Sequence, residues 1–470
     1  MTTALIVLPL AGALVVALAP LPRRLTELLA LLVALAECIL GAVALVGFDA
    51  GGGPQYVTNR EWISDFGLNA SVRYHVSMNG LSLFMVLLTA VGIAASIAVA
   101  ARMGRERPRA YFALVLVLES ALVLLFTAQD LVLFYVGWEI MMIPLYVLMG
   151  VWGGAGRRAA TMQFVVYTLV GSLLMLVAIA YLGVTAGTFE RQALIAHPHE
   201  PTWLFFAFAA AFCIKAPLFP LHAWLPSAYR ESSPEVAALL SGVVSKAGAY
   251  GLITFAVPLF PKTAHDWRWL LLGLALAGLL YGSLVAFRQP DARGVIAYSS
   301  LAQMNLIVIG IFAFNVNGST GATFQMVNHG VVSLAAFLLI GLVEARTGTD
   351  LFASLGGLAN GRPMFSTVFL IAALWALAVP GSSVFVSELY ILIGAFQQAA
   401  LLGAAAALGI VLAAMYMLRW YSALAHEGDG SSVPHGMPDL RPGELAIAVP
   451  LILILLALTA YPFGVMDRLT

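Results

Sequence analysis

Six ionisable side chains interrupt long apolar runs: Glu37, Glu119, Glu139, Lys215, Lys246 and Glu388, with His222 and His329 in comparable surroundings. A charge at bilayer depth costs on the order of 3 kcal/mol or more, so its retention points to ion or proton handling unless it serves a structural ion pair. Amine usage favours the first reading. The chain has 20 arginines and three lysines, and two of those lysines are Lys215 and Lys246. Arginine stays protonated everywhere, whereas a buried lysine is able to release its proton. Glu139 lies in Tyr135-Val-Gly-Trp-Glu139, five residues before Pro144. His329, in Asn328-His329-Gly330, suits a proton relay or a satisfied core position. Glu119 is flanked by Ser120 and could hydrogen-bond locally, and Glu37 has no partner assignable from sequence.

Two of these charges sit beside helix breakers. Lys215 precedes Pro217 and Pro220, with His222 next and Pro226 beyond, and each proline removes a backbone donor. Pro380-Gly381 splits a second run, and Glu388 lies about two turns further on. Broken helices at membrane depth are tolerated where they face protein or water. They also supply the polar backbone of midplane ion sites in transporters.

Elements of a particular kind must hold these groups. Of the 470 residues, 61% are hydrophobic and only 10% charged, with net charge +0 and mean hydropathy +0.96. Too little polar surface remains to cover a soluble core. A soluble enzyme, a nucleic-acid binder and a disordered chain are excluded. Cys38 and Cys213 are too few for a disulfide framework, a zinc site or a cysteine-ligated iron–sulfur cluster. The expected fold is an all-α polytopic membrane protein with about 14 transmembrane helices. The polar stretch at about 49–77 reads as an external loop or short amphipathic hairpin.

Loops after odd-numbered spans carry 15 basic residues and the opposite loops six, which places the first set in the cytoplasm and both termini outside. The breaks fall in spans 7 and 12, five apart. That spacing predicts two inverted five-helix repeats, spans 4–8 and 9–13. The expected organisation is one transmembrane domain, 1–470: N-terminal helices at 1–101, repeats at 110–258 and 269–424, and a last helix within 444–470.

Several motifs resemble those of the antiporter-like membrane subunits of respiratory complex I, the NADH:quinone oxidoreductase. They are Phe134 to Glu139 with Ile143-Pro144, Tyr167 to Ser172, Lys215 to Pro226, Lys246 to Gly251, Ile296 to Ser300, Asn328 to Gly330, and Pro380 to Glu388. Glutamate at 388 resembles the M type of subunit, since the L and N types and the sodium/proton antiporters tend to carry lysine there. The resemblance implies a proton path in a bacterial inner membrane. Glu139 would pair with Lys215, Lys246 and the histidines would link two half-channels, and Glu388 would be the exit group. It also implies partner subunits, L- and N-type among them, that hold NADH, FMN, iron–sulfur clusters and quinone, with no cofactor or metal in this chain. Three positions depart from the family pattern: Ser227, Arg293-Gly294, and Gln303, which stands where a histidine is usual.

The implied mechanism is electrostatic. A carboxylate near Lys215 stabilises its ammonium, and displacing that carboxylate sends the proton towards Lys246. The competing readings are a sodium/proton antiporter subunit, a membrane subunit of a proton-pumping hydrogenase, and a structural scaffold.

Overall fold

A computed structural model describes residues 1–64, 70–197, 201–428, 430–434 and 436–469. In chain order the elements begin with α1 (Thr2–Leu18), α2 (Arg23–Val46), β1 (Gln55–Ile63), β2 (Val72–Met78), α3 (Gly80–Met103), α4 (Pro108–Thr127), α5 (Leu131–Trp152), α6 (Arg157–Ala186), α7 (Arg191–Ala196), α8 (Thr202–Lys215) and α9 (Trp224–Glu231). Then comes α10 (Pro234–Leu259), a single long span. It is followed by α11 (Pro261–Asp266), α12 (Arg268–Arg288), α13 (Ala292–Phe312), α14 (Val316–Thr347), α15 (Pro363–Ala376), α16 (Ser383–Gln398), α17 (Ala400–Ala425), α18 (Pro442–Ala460) and α19 (Pro462–Leu469).

The helical expectation is met. Among the described residues, eleven helices are long and apolar enough to cross a bilayer alone. Length therefore gives eleven spans against the fourteen expected. The remaining three expected positions hold shorter apolar helices, α1, α8 and α15. For α8 and α15 the cause is the proline breaks, which cut two expected spans short. The stretch at 49–77 contains an antiparallel hairpin, β1 with β2, pairing Arg60 with Tyr74; residues 65–69 lie outside the described residues.

The chain forms two compact units. The first comprises Met1–Ala216, Val243–Arg268 and Asp467–Thr470; the second comprises Pro217–Gly242 and Trp269–Met466. In the first, α2 and α6 turn leucine, isoleucine and valine outwards, among them Leu28, Leu32, Ile39, Val166, Leu173 and Val177. A helix whose outer face is apolar is suited to lipid or to another membrane subunit. In the second, α14 is buried along its whole apolar window.

Side chains start the helices where orphan N–H groups would otherwise go unmet. Asn79 Oδ1 accepts from Ser82 N at 2.8 Å, and Ser82 Oγ accepts from Asn79 N at 2.7 Å. Asp130 Oδ1 accepts from Val132 and Leu133, and Asp291 Oδ1 from Gly294. At α15 the cap comes from a distant loop. Asp439 accepts from Met364 N and Phe365 N, both at 2.9 Å. Partial burial opposes its ionised form. Hydrogen bonds from the Met364, Leu440 and Phe365 backbone and the charge of Arg346 outweigh that, and hold its carboxyl below the ordinary range.

The Asp439 cap contributes stability above the ordinary carboxylate range and loses it as pH falls through its lowered value. Asp439→Ala should destabilise the chain by about 1 kcal/mol. The expected reading is a lower thermal midpoint for the purified protein at neutral pH. Acidification through the carboxylate range should narrow the gap to the wild type; a constant gap would assign the loss to packing.

Candidate functional site: two buried polar clusters

The first unit gathers Glu139, Lys215 and Lys246. α8 ends at Lys215 because Pro217 and Pro220 cannot continue its hydrogen-bond ladder. The Lys215 side chain is wholly buried. Its Nζ lies 2.9 Å from Met142 Sδ and 5.3 Å from the ring centroids of both Trp138 and Phe164. Aromatic faces attract an ammonium, more strongly when water is excluded. Glu139 acts on Lys215 through space, yet no contact ion pair joins them. The expected pairing is thus a field across a gap, with a thioether and two rings nearest the amine.

Glu139 also differs in exposure. It is only half-buried, on the same helix as the outward-facing Ile140, Ile143 and Tyr146. The Tyr135 hydroxyl lies beside its carboxylate and Ser172. Lys246 is wholly buried within α10, and its Nζ lies 3.5 Å from Ser245 Oγ. π-helical turns at Leu240–Val244 and Leu252–Ala256 bracket it. Such turns widen a helix locally and are frequent at functional sites. A close approach sets α10 against the end of α8: a Cβ on Gly248 would stand 2.4 Å from Phe212 O and 2.5 Å from Ala216 N. Only glycine allows that contact two residues after Lys246.

The second unit gathers Glu388, His329 and residues that sequence reasoning did not single out. Between α15 and α16 the chain runs through Ala378 (φ 56°) and Gly381 (φ 97°), with Pro380 between them. α16 restarts with Ser382 Oγ accepting from Phe385 N, and Thr459 Oγ1 of α18 accepts from Ser383 N at 3.0 Å. These side chains replace the ladder bonds that the break removes. Glu388 is buried, and Gln303 Nε2 donates to its Oε1 at 2.8 Å. Gln325 Nε2 donates to Gln303 Oε1 at 2.8 Å, Ser387 Oγ to Gln325 Oε1 at 2.5 Å, and Asn328 Nδ2 to Ser387 Oγ at 3.2 Å. An amide-and-hydroxyl chain therefore leads from α14 to the Glu388 carboxylate.

Beside that chain is a cavity of about 20 Å³, lined by Ser299, Gln303, Gln325, His329 and Ser333 among others. Ile296, Val332, Ala336, Ala376, Val384 and Met417 complete the lining, so the cavity wall is mainly apolar although its volume is that of about one water molecule. Ser241 donates to Ser300 at 2.9 Å and also contacts Ser333. Tyr416 donates to Ser299 at 3.0 Å.

Two predicted residues sit apart from these clusters. His222 is buried and stacks on Phe219 at 5.4 Å, with Tyr281 at 5.2 Å, and its Nδ1 has no hydrogen-bond partner. Glu119 is wholly buried, and the charge acting on it is Glu37. Gln303 was visible in sequence as a departure from the family pattern. Gln325 and Ser387 carried no signal, because polar neutral side chains are common in helices and only tertiary packing aligns them.

A polytopic bundle with two proline-broken helices and lysine and glutamate buried beside the breaks is the architecture of an antiporter-like membrane subunit. The chain belongs to the family described as NADH:quinone oxidoreductase/Mrp antiporter, TM, whose profile matches residues 128–414. It is 34% identical to NADH-ubiquinone oxidoreductase chain 4 of Arabidopsis thaliana, over 98% of this chain and 94% of that one. It is 35% identical to NADH-quinone oxidoreductase subunit M of Rhodobacter capsulatus, over 98% and 93%. The fold is similar to a chain of respiratory complex I from Thermus thermophilus with bound NADH, with TM-score 0.91, 32% identity, and 100% and 98% coverage. A chain of the Mrp complex from Dietzia shares the fold at TM-score 0.87 and 23% identity, covering 100% of this chain and 96% of that one.

Gln303 holds a wholly enclosed carboxylate, so Gln303→Leu should cost about 1–3 kcal/mol by leaving Glu388 unsatisfied. Gln303→Glu388 pairing is checked by comparing the thermal midpoints of Gln303→Leu, Glu388→Leu and the double variant. The double variant should recover part of the loss. Strict additivity would mean that the two side chains do not support each other.

Proposed function

We propose that this chain is an M-type antiporter-like subunit of an NADH:quinone oxidoreductase and moves protons outward across a bacterial inner membrane. The observation that carries the reading is the enclosure of two lysines, Lys215 and Lys246, on helices that Gly248 holds in close approach within one unit. A buried amine whose counter-charge stands across a gap is a group that a small displacement switches between protonation states.

In this reading a proton is held on Lys215 while the Glu139 carboxylate stabilises the ammonium. Movement or neutralisation of Glu139 weakens that hold, and the proton passes to Lys246. The repeats at 110–258 and 269–424 act as two half-channels that are never open together. His329 and Glu388 form the discharge side, with Glu388 as the group that releases the proton. His222 and Glu119 serve as accessory carriers. Pro217, Pro220, Pro380 and Gly381 provide the polar, interrupted backbone beside these groups. Both termini face outside.

The driving energy arrives from partner subunits, among them L- and N-type membrane subunits, in which NADH, FMN, iron–sulfur clusters and quinone do the redox chemistry. Half-exposed Glu139 supports this coupling, since a carboxylate on the bundle surface is open to the field of a neighbouring subunit. This chain's own part is to hold and pass protons.

Lys215→Ala and Glu139→Ala should each reduce NADH-driven proton translocation to background in membrane vesicles while the complex still assembles on native gels. Lys215→Arg should fail as well, because it keeps the charge and loses the ability to release it. Wild-type translocation in these variants would refute the assignment. Sodium uptake replacing proton uptake would favour the sodium/proton antiporter instead.

A further inference from the structure

The nearest polar contact of the Lys215 amine is a group that carries no charge. Its Nζ lies 2.9 Å from Met142 Sδ. Met142 stands on α5, three residues after Glu139 and two before Pro144. Residues three apart are neighbours on one helix face, so the thioether and the carboxylate share a side of α5. Met142 is half-buried, between the wholly buried Met141 and the outward-facing Ile143.

The elements packed around this amine carry few ionisable groups. On α5 they are Tyr135, Glu139 and Tyr146. On α6 they are Tyr167 and Tyr181, with Arg157 and Arg158 in its first turn. The part of α10 in this unit carries Lys246 and Tyr250. α11, with Lys262, His265 and Asp266, lies towards the start of α8, where the Phe206 and Trp267 rings meet at 5.1 Å. Cys213 is the further group on α8 itself. Among the described residues, none of these hydrogen-bonds or ion-pairs with Lys215, so Met142 Sδ is the amine's single acceptor there. A thioether accepts weakly, yet apolar surroundings raise the worth of any partner to a charged donor. A thioether also has no proton to gain or lose, so its hold on the ammonium does not change with the state of Glu139.

We infer that Met142 is a positioning residue, whose thioether fixes the place of the Lys215 ammonium and supplies a constant part of its hold on a proton. The inference rests on the reading of Lys215 as a proton carrier. Glu139 then supplies the part that switches. When that carboxylate moves or is neutralised, the amine stays against the sulfur and does not follow it, so the proton leaves from one place. The Trp138 and Phe164 rings, each centred 5.3 Å from Nζ, add a second neutral and non-titrating contribution. The strength of the acceptor at 142 matters in both directions. An apolar side chain there loads the lysine too weakly, and a strong acceptor releases the proton too slowly.

The test measures protons moved per NADH oxidised in vesicles that hold the assembled complex, from neutral to alkaline pH. It compares the wild type, Met142→Leu, Met142→Gln and Lys215→Ala. The part of the ratio that Lys215→Ala removes belongs to this chain. That part should fall at alkaline pH, where Lys215 no longer loads. Met142→Leu keeps the volume and removes the acceptor. Its alkaline limb should move lower by about one pH unit, a roughly tenfold loss of proton affinity. Met142→Gln offers a carbonyl oxygen and should move the limb the opposite way. A loss caused by packing alone would lower the ratio at every pH without moving the limb. An unmoved limb in Met142→Leu overturns the inference and leaves the carrier reading standing. An upward shift in Met142→Leu overturns it too, because the amine has then closed on Glu139 and the sulfur had only kept them apart. If Lys215→Ala removes nothing, both readings fail. Should Met142→Gln not assemble, the direction of the Met142→Leu shift decides alone.

Discussion

Two amines enclosed in an apolar bundle impose the constraint on which the rest of this structure depends. A buried ammonium requires compensation that water would otherwise supply, and incomplete compensation makes its charge conditional. Lys215 has a thioether, two aromatic faces and a carboxylate acting through space. That set is weaker than a contact ion pair. A contact pair would lock the proton in place, whereas a gap leaves the lysine responsive to the position of Glu139.

The backbone around the lysines follows from the same constraint. α8 ends where the amine needs room, and α10 widens through π turns on either side of Lys246. Gly248 removes the side chain that would hold α10 away from the α8 terminus. Each feature departs from regular helix, and each costs stability in isolation. Their concentration around two charged residues is coherent if the place needs to be polar and adjustable, and has no evident purpose in a passive scaffold.

Much of this was legible from residue types alone. Buried charges in apolar runs stand out because bilayer interiors penalise them, and the prolines beside Lys215 and Glu388 break helices wherever they occur. Local chemistry of this kind survives in one dimension. Other features depend on neighbours distant in sequence. The π turns lie in ordinary-looking apolar sequence, and the exposure of Glu139 depends on which face of α5 the bundle leaves uncovered. That Glu37 and Glu119 are both buried in one unit follows only from the packing of α2 against α4, which chain order does not show. The span count shows the reverse limit: hydropathy runs through a break that shortens the helix, so a run long enough to cross need not be one helix.

The Glu388 end obeys a different logic from the lysine end. There the carboxylate receives a hydrogen bond from an amide, and that amide is held by another amide and a serine. Amides orient and donate but do not exchange protons readily at neutral pH, so the chain from Asn328 to Gln303 positions Glu388 and does not conduct. In the proposed function, proton movement past Gln303, where the resemblance leads one to expect histidine, must use something else. The neighbouring cavity is mainly apolar, with His329, Ser299 and Ser333 among the polar side chains that reach its wall. Glutamine at 303 thus fixes the geometry of the carboxylate, and in the proposed function His329 is the titratable side chain left near it to relay a proton. In the proposed function, a carboxylate oriented through one oxygen also suits a discharge group, because the other oxygen can take the proton while the Gln303 hydrogen bond holds.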